Sequence, residues 1–214
     1  MFNRSIAIIG TKGGVAKTTT AHMISYGLSQ FDIAVALVST DNQRGRTCRP
    51  DDSRPYQTRA GFTAKDMDKL FESFGSMSID PVTPRILVVD GGGNRPKFDE
   101  LLTQVTDLAI LPFMDGPEDI DVVRADLEAY PNAYALPSRW PASMFTHAQV
   151  SAILEDLHQR FPGRILRPVP MIRASQTLVR EVVGPVDTKL RTVCKELAIE
   201  IMVQLGFNVF ELPR

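Results

Sequence analysis

The chain has 214 residues, 43% hydrophobic and 23% charged, and its 24 Lys and Arg against 25 Asp and Glu leave a formal net charge of −1. That length reads as one domain over residues 1–214, and the composition excludes a disordered or collagen-like chain. Cys48 and Cys194 stand far apart with no Cys/His cluster beside them, which excludes a disulfide framework and a zinc module and fits a reducing compartment.

No apolar run approaches the ~20 residues of a membrane span. The short apolar run near the N-terminus ends in a glycine-rich turn and not in a small-residue cleavage site, so the expectation is a cytoplasmic protein.

In chain order, residues 5–9 read as a strand, followed by a glycine-rich turn and a helix over 18–29. Residues 33–38 are continuously apolar, as in a strand covered on both faces. The polar, arginine-rich stretch 43–61 reads as a loop. A helix over 64–74 follows, with Thr63 as its N-cap. The next elements are a strand over 85–89, a helix over 97–105, and a strand over 108–111 closed by Pro112. The helix over 117–130 starts at Pro117 and carries acids in its first turn, as its dipole favours. Strands over 133–136 and 165–169 and helices over 148–161 and 187–205 complete the chain. Strands alternating with helices predict an α/β fold, a mostly parallel sheet with helices on both faces.

The strongest chemical signal is Gly10-Thr11-Lys12-Gly13-Gly14-Val15-Ala16-Lys17-Thr18-Thr19-Thr20. It follows a buried strand and opens a helix, the setting of a phosphate-binding loop. Gly13 and Gly14 let the backbone approach an anion, and the helix start adds the positive end of its dipole. Lys17 is placed for the β- and γ-phosphates, and the Thr18 hydroxyl for Mg²⁺. Two further strands end in acids. Ala34-Val35-Ala36-Leu37-Val38 runs into Ser39-Thr40-Asp41-Asn42-Gln43, and Arg85-Ile86-Leu87-Val88-Val89 into Asp90 and then Gly91-Gly92-Gly93-Asn94. Such strand ends are where parallel sheets bind ligands.

Lys12-Gly13-Gly14-Val15-Ala16-Lys17-Thr18 resembles the [KR]-G-G-x-x-[KR]-[ST] loop of the ParA/MinD family of deviant Walker-A ATPases, and most closely the small ParA type. The resemblance implies ATP and Mg²⁺ as cofactors, bound at Thr11, Lys12, Gly13, Gly14, Val15, Ala16, Lys17, Thr18 and Thr19. It makes Lys12 the signature lysine that reaches the partner's phosphates in an ATP-sandwich homodimer. Asp41 matches the acid that positions the attacking water and is a further candidate for the metal; Ser39 and Asn42 depart from the family's D-x-D-P-Q. Asp90 holds Mg²⁺ through a water. Three glycines follow it where the family more often has D-x-P-P, a backbone suited to a switch segment. Pro170 and Met171, in a V-P segment like the family's, are expected near the adenine.

The absence of cluster-ligating cysteines argues against the family's electron donors. A C-terminal tail with one base and a Pro argues against a membrane anchor. The basic residues from Arg164 to Lys195 suit the segregation branch, with Arg173, Arg180, Lys189, Arg191 and Lys195 as candidates for non-specific DNA binding by the dimer. A second arginine cluster lies at Arg44, Arg46, Arg49, Arg54 and Arg59.

The phosphate loop begins at Gly10, with no helix-turn-helix before it. Operator recognition is therefore expected of a ParB-like or cargo adaptor that also stimulates hydrolysis, for which the acidic helix after Pro117 is a candidate surface. The expected cargo is a plasmid, a chromosome region or a protein cluster, and the expected localisation is nucleoid-associated. Two alternatives share the fold: a metabolic enzyme of the dethiobiotin-synthetase kind, and a nucleotide sensor that does not hydrolyse. The metabolic enzyme would need a substrate pocket at the dimer interface, which His22, His147 or His158 could serve, although each reads first as a surface residue.

Overall fold

A computed structural model describes residues 3–40, 53–60, 63, 66, 69–72, 74, 84–93, 95–141, 147–180 and 184–208. Asp41, Asn42, Gln43, Arg44, Arg46, Cys48, Arg49 and Asn94, the side chain of His147 and residues 209–214 lie outside that set. The elements are β1 (Arg4–Ile8), α1 (Lys17–Ser29), β2 (Ala34–Ser39), β3 (Gln57–Ala60), β4 (Arg85–Asp90), α2 (Pro96–Val105), β5 (Leu108–Phe113), α3 (Pro117–Ala129), β6 (Ala133–Pro137), α4 (His147–Arg160), a 3₁₀ turn (Arg173–Ser175) leading into the short α5 (Gln176–Val179), and α6 (Thr188–Gln204). Residues 66, 69–72 and 74 are also helical.

The six strands form one parallel sheet in the order β3-β2-β4-β1-β5-β6. Successive side chains of a strand point to opposite faces, and here each face meets its own helical layer. Ile6, Ile8, Ile86, Val88, Leu108 and Ile110 pack with Ala21, Ile24 and Leu28 of α1 and Leu190, Leu197 and Ile201 of α6. Their neighbours Ala7, Ile9, Leu87, Val89, Ala109 and Leu111 pack with Phe98 and Leu102 of α2, Ile120 and Val123 of α3, and Leu157 of α4. This double burial is why the central strands carry unbroken apolar runs at 6–9, 86–89 and 108–113.

α1 and α6 approach closely at Gly27. A Cβ there would lie 2.0 Å from the Cys194 carbonyl oxygen. α6 begins at Asp187, whose side chain accepts the Leu190 N–H at 2.8 Å, an N-cap bond.

Three expectations are corrected. The stretch read as a loop contains β3, which pairs with β2 at the sheet edge; Thr58 is buried while Gln57 and Arg59 are exposed, the alternation of a strand with one solvated side. β5 runs through Pro112 to Phe113. Its pairing with β1 stops at Ile110 and only β6 continues beside it, so the missing N–H of Pro112 faces the side where the neighbouring chain has turned away into the phosphate loop. Residues 165–169 are not a strand. They follow β6 through the isolated bridges Ala135–Ile165 and Trp140–Pro170, because Pro168 and Pro170 cannot donate to a ladder.

Strand register delivers the chemistry to one edge. Ile8 and Ser39 both pair with Asp90, so the loop after β1, the acid ending β4 and the end of β2 emerge side by side.

Candidate functional site

The loop between β1 and α1 turns on left-handed residues. Gly10 has φ 137°, Gly14 φ 83° and Ala16, the N-cap of α1, φ 69°. A left-handed alanine costs about 1–2 kcal/mol, so the fold holds Ala16 there against its own preference. Inside the curl lies Lys17, 6% exposed. Its Nζ donates to the Gly10 carbonyl at 2.9 Å and to the Lys12 carbonyl. The neighbouring Thr18 hydroxyl donates to Asp90 Oδ2 at 2.8 Å, and both residues are buried.

Beneath the loop stand three buried acids, Asp99, Asp119 and Asp126; the last two correct the expectation that the acidic helix after Pro117 presents its acids as a surface. Thr11 donates its hydroxyl and N–H to Asp126 at 2.9 and 3.3 Å. The Gly10 N–H points at Asp99 Oδ2, 3.4 Å away. Burial raises the Asp99 carboxyl to about 6, with Asp126 adding to the rise and the Gly10 N–H, Lys17 and Arg95 opposing it. Lys12 turns outward onto α3, 2.7 Å from Asp119 and 3.2 Å from Glu118. The bond to Asp119, then Glu118, raises its pKa against the lowering effect of burial. The sequence signal for Asp99, Asp119 and Asp126 was their place on the apolar faces of α2 and α3, beside Phe98, Ile120 and Leu127.

The loop forms one end of a cleft of about 220 Å³ lined by Gly13, Gly14, Ala16, Lys17, Thr18 and Thr19, with Gly92 and Gly93 across from them. Arg139, Gln176 and Val179 line the rest. Arg139 follows β6 with φ 52°, and the adjacent Ser138 hydroxyl bonds the Val15 carbonyl at 3.3 Å. Pro170 and Met171 are not among the lining residues: Pro170 bridges to Trp140, and Met171 is 65% exposed. Arg139 and Gln176 carried no sequence signal, since one reaches the cleft just after β6 and the other at the start of α5.

The AAA domain family model matches residues 3–72. Among solved structures, a candidate plasmid partition protein from Borrelia burgdorferi B31 bound to AMPPNP superposes with a TM-score of 0.65 at 14% identity, covering 95% of this chain and 100% of that one. A MinC:MinD cell division protein complex from Aquifex aeolicus matches with a TM-score of 0.70 at 17% identity over 99% of both chains. This is the fold of the ParA/MinD-type P-loop ATPases. It is not confined to partition and division proteins. Cobyrinic acid a,c-diamide synthase from Mycobacterium smegmatis, with bound ADP and magnesium, matches with a TM-score of 0.62 at 18% identity over 96% of both chains. No curated protein matches the sequence.

Within this P-loop fold, the donor set suits Mg²⁺. A hydroxyl and a carboxylate, Thr18 and Asp90, stand 2.8 Å apart at the helix start, and Mg²⁺ takes oxygen ligands while keeping several waters. Asp41, which would complete the set, follows Thr40 directly but lies outside the described residues. Among the described residues no cluster of three His, Cys, Asp or Glu side chains forms another metal site.

The basic candidates sit away from the cleft. Arg173 is exposed on the 3₁₀ turn, and Arg180 is exposed at the end of α5, where its carbonyl accepts from Arg54. Lys189, Arg191 and Lys195 are exposed on α6. Arg191 and Lys195 are one turn apart on one face, whereas Lys189 is roughly 160° around the helix from Arg191. Lys195 also lies over the Phe31 ring, 5.1 Å from its centroid.

His22 corrects its expectation. It is fully buried, with Nδ1 2.8 Å from the Tyr56 hydroxyl, because it falls on the covered side of α1. His158 is exposed on α4. No described helix is long and apolar enough to cross a membrane.

Proposed function

We propose that this chain is a ParA-type ATPase that pairs with a second copy around ATP, binds DNA without sequence preference as that dimer, and releases it on hydrolysis. The observation that carries the reading is the division of labour between the two lysines of the loop. Lys17 is buried within the curl, where one cation suffices to hold a bound phosphate chain. Lys12 points the other way, with its side chain 32% exposed and held by Asp119 and Glu118, and is available to a neighbouring molecule. Exchanging those carboxylates for a partner's γ-phosphate would trade one charge-assisted contact for another and add positive charge where it develops during phosphoryl transfer.

Bound Mg²⁺ would neutralise charge on the β- and γ-phosphates. Thr18 and Asp90 hold its place, Lys17 and the loop amides bind the phosphates, and Asp41 orients the water. The exposed Arg173, Arg180, Arg191 and Lys195 supply phosphate contacts that dimerisation doubles, which makes DNA affinity depend on nucleotide state. A ParB-like or cargo adaptor would stimulate hydrolysis, and the acidic surface made by Asp115, just before α3, and by Glu118 and Asp121 on it is its proposed surface. This cycle would position a plasmid, chromosome region or protein cluster on the nucleoid.

The test is DNA binding and oligomeric state with no nucleotide, ADP or a non-hydrolysable ATP analogue, at two salt concentrations. The expected result is a dimer that binds DNA only with the analogue, weakens with salt, and is lost in Lys12→Ala and Arg180→Glu. A chain that binds ATP but ignores DNA in every state overturns the positioning reading in favour of a metabolic enzyme or sensor. The metabolic reading is supported by the synthase neighbour. Against it, neither His22 nor His158 lines the cleft.

A further inference from the structure

Between Asp90 and α2 the chain reads Gly91-Gly92-Gly93-Asn94-Arg95-Pro96. Arg95 is anchored first by its backbone: its carbonyl accepts the N–H groups of Phe98 and Asp99, each at 2.9 Å, as α2 begins. Its guanidinium then lies 4.8 Å from the centroid of the Phe98 ring. From that platform Nη1 donates to the Thr40 carbonyl at 3.2 Å, and Nη2 to the Thr40 hydroxyl and the Gly91 carbonyl. Thr40 donates in turn to the Asp90 carbonyl, through its N–H at 3.1 Å and its hydroxyl at 3.0 Å. Thr40 precedes Asp41, and Gly91 follows Asp90. One planar cation therefore joins the ends of β2 and β4 at the two positions next to the carboxylates.

Gly92 makes room for this contact. It has φ 73°, and a Cβ there would lie 2.5 Å from Arg95 Nη2. Consecutive glycines are costly to order, and a rigid fork with three neutral oxygen acceptors is a way to order them that a lysine, a point charge on a flexible stem, does not reproduce.

We propose that Arg95 is a positioning residue for hydrolysis: it ties the ends of β2 and β4 together at Thr40 and Gly91, so that the Asp90 carboxylate keeps a fixed place beside the end of β2 while the phosphoryl bond breaks. It acts through Thr40 and Gly91 and not on the reacting atoms. The proposal rests on the hydrolytic reading above and goes beyond it, since no phosphate-loop motif includes this arginine.

The test is single-turnover ATP hydrolysis beside equilibrium binding of a fluorescent ATP analogue, for wild type, Arg95→Ala, Arg95→Lys, Gly92→Ala and Lys17→Ala. The expected result for Arg95→Ala is a hydrolysis rate lower by on the order of 10–100-fold with nucleotide affinity little changed, and Gly92→Ala should lower the rate to a similar extent. Arg95→Lys should fall with them, millimolar guanidinium should restore part of the rate to Arg95→Ala, and amide exchange at Thr40 and Gly91 should quicken. If Arg95→Ala does not fold, Gly92→Ala and Arg95→Lys carry the same comparison.

Wild-type turnover in the Arg95 and Gly92 variants overturns the proposal and leaves the ATPase reading intact, provided Lys17→Ala still loses binding. Affinity falling in step with rate makes Arg95 a binding residue and also overturns it. A wild-type chain that binds nucleotide but never hydrolyses it overturns both.

Discussion

The phosphate loop and the basic face around α6 are both candidate anion sites, and they are built in opposite ways. In the loop the charges are organised: Lys17 is buried against two carbonyls, Thr18 is bonded to Asp90, and Gly10 and Thr11 rest on Asp99 and Asp126. On the basic face Arg173, Arg180, Arg191 and Lys195 are exposed to water. A preorganised site gains specificity because its dipoles are fixed before the ligand arrives. A solvated array gains affinity only by displacing counterions, and so only at low salt. The difference predicts large, all-or-none effects in the first region and graded, salt-dependent effects in the second.

The largest effect belongs to Lys17→Ala. Removing the buried cation should lower ATP turnover by on the order of 10²–10³-fold, measured as single-turnover hydrolysis; near-normal turnover would break the contrast at its stronger end.

Next is Asp99. Its folded carboxyl titrates at about 6 against an ordinary 3.8. The folded state therefore keeps a proton that the unfolded chain has lost between those values. Stability should fall as pH rises from about 4 to 6, by about 3 kcal/mol in all, and stay low above that range. Asp99→Asn should flatten this window in denaturant titrations and stabilise the chain at pH 7.5. An unchanged profile would remove Asp99 from the account of the loop.

Gly27→Ala should cost about 1–3 kcal/mol by prising α1 from α6. In a domain of this size that lowers Tm by roughly 2–4 °C per kcal/mol, which calorimetry would read directly. The smallest effect is that of Arg191→Glu with Lys195→Glu. Nucleotide binding should be untouched, and the salt slope of DNA binding should drop by about 0.9 per lost phosphate contact. A loss independent of salt would show that this face is not the solvated array described.

The sequence made the sheet and the loop legible because both rest on local rules. Uninterrupted apolar runs such as 85–89 mark strands covered on both sides, and glycines before Lys17-Thr18 mark a backbone that must turn sharply into a helix. What stayed hidden depends on neighbours. Among the described side chains of the short β3 only Thr58 is buried, too little pattern to separate it from the arginine-rich stretch before it. Pro112 reads as a strand breaker until the sheet shows that β1 has already departed at that level. Arg139 and Gln176 line one cleft from points 37 positions apart by residue number, a juxtaposition that only topology supplies. The buried acids under the loop look like ordinary solvated helix charges until α2 and α3 are docked.

The close contact between Gly27 and the Cys194 backbone has a consequence in reaction kinetics. Cys194 is fully buried, and burial pushes its thiol up to about 12, whereas the thiolate is the form that reacts. Its labelling by a thiol reagent therefore waits for α1 and α6 to part. α1 carries the phosphate loop at its other end, so a ligand that clamps the helix start also delays that parting. The layer behind the sheet becomes a chemical clock for events in the cleft at its edge, read by mass spectrometry at one sulfur atom.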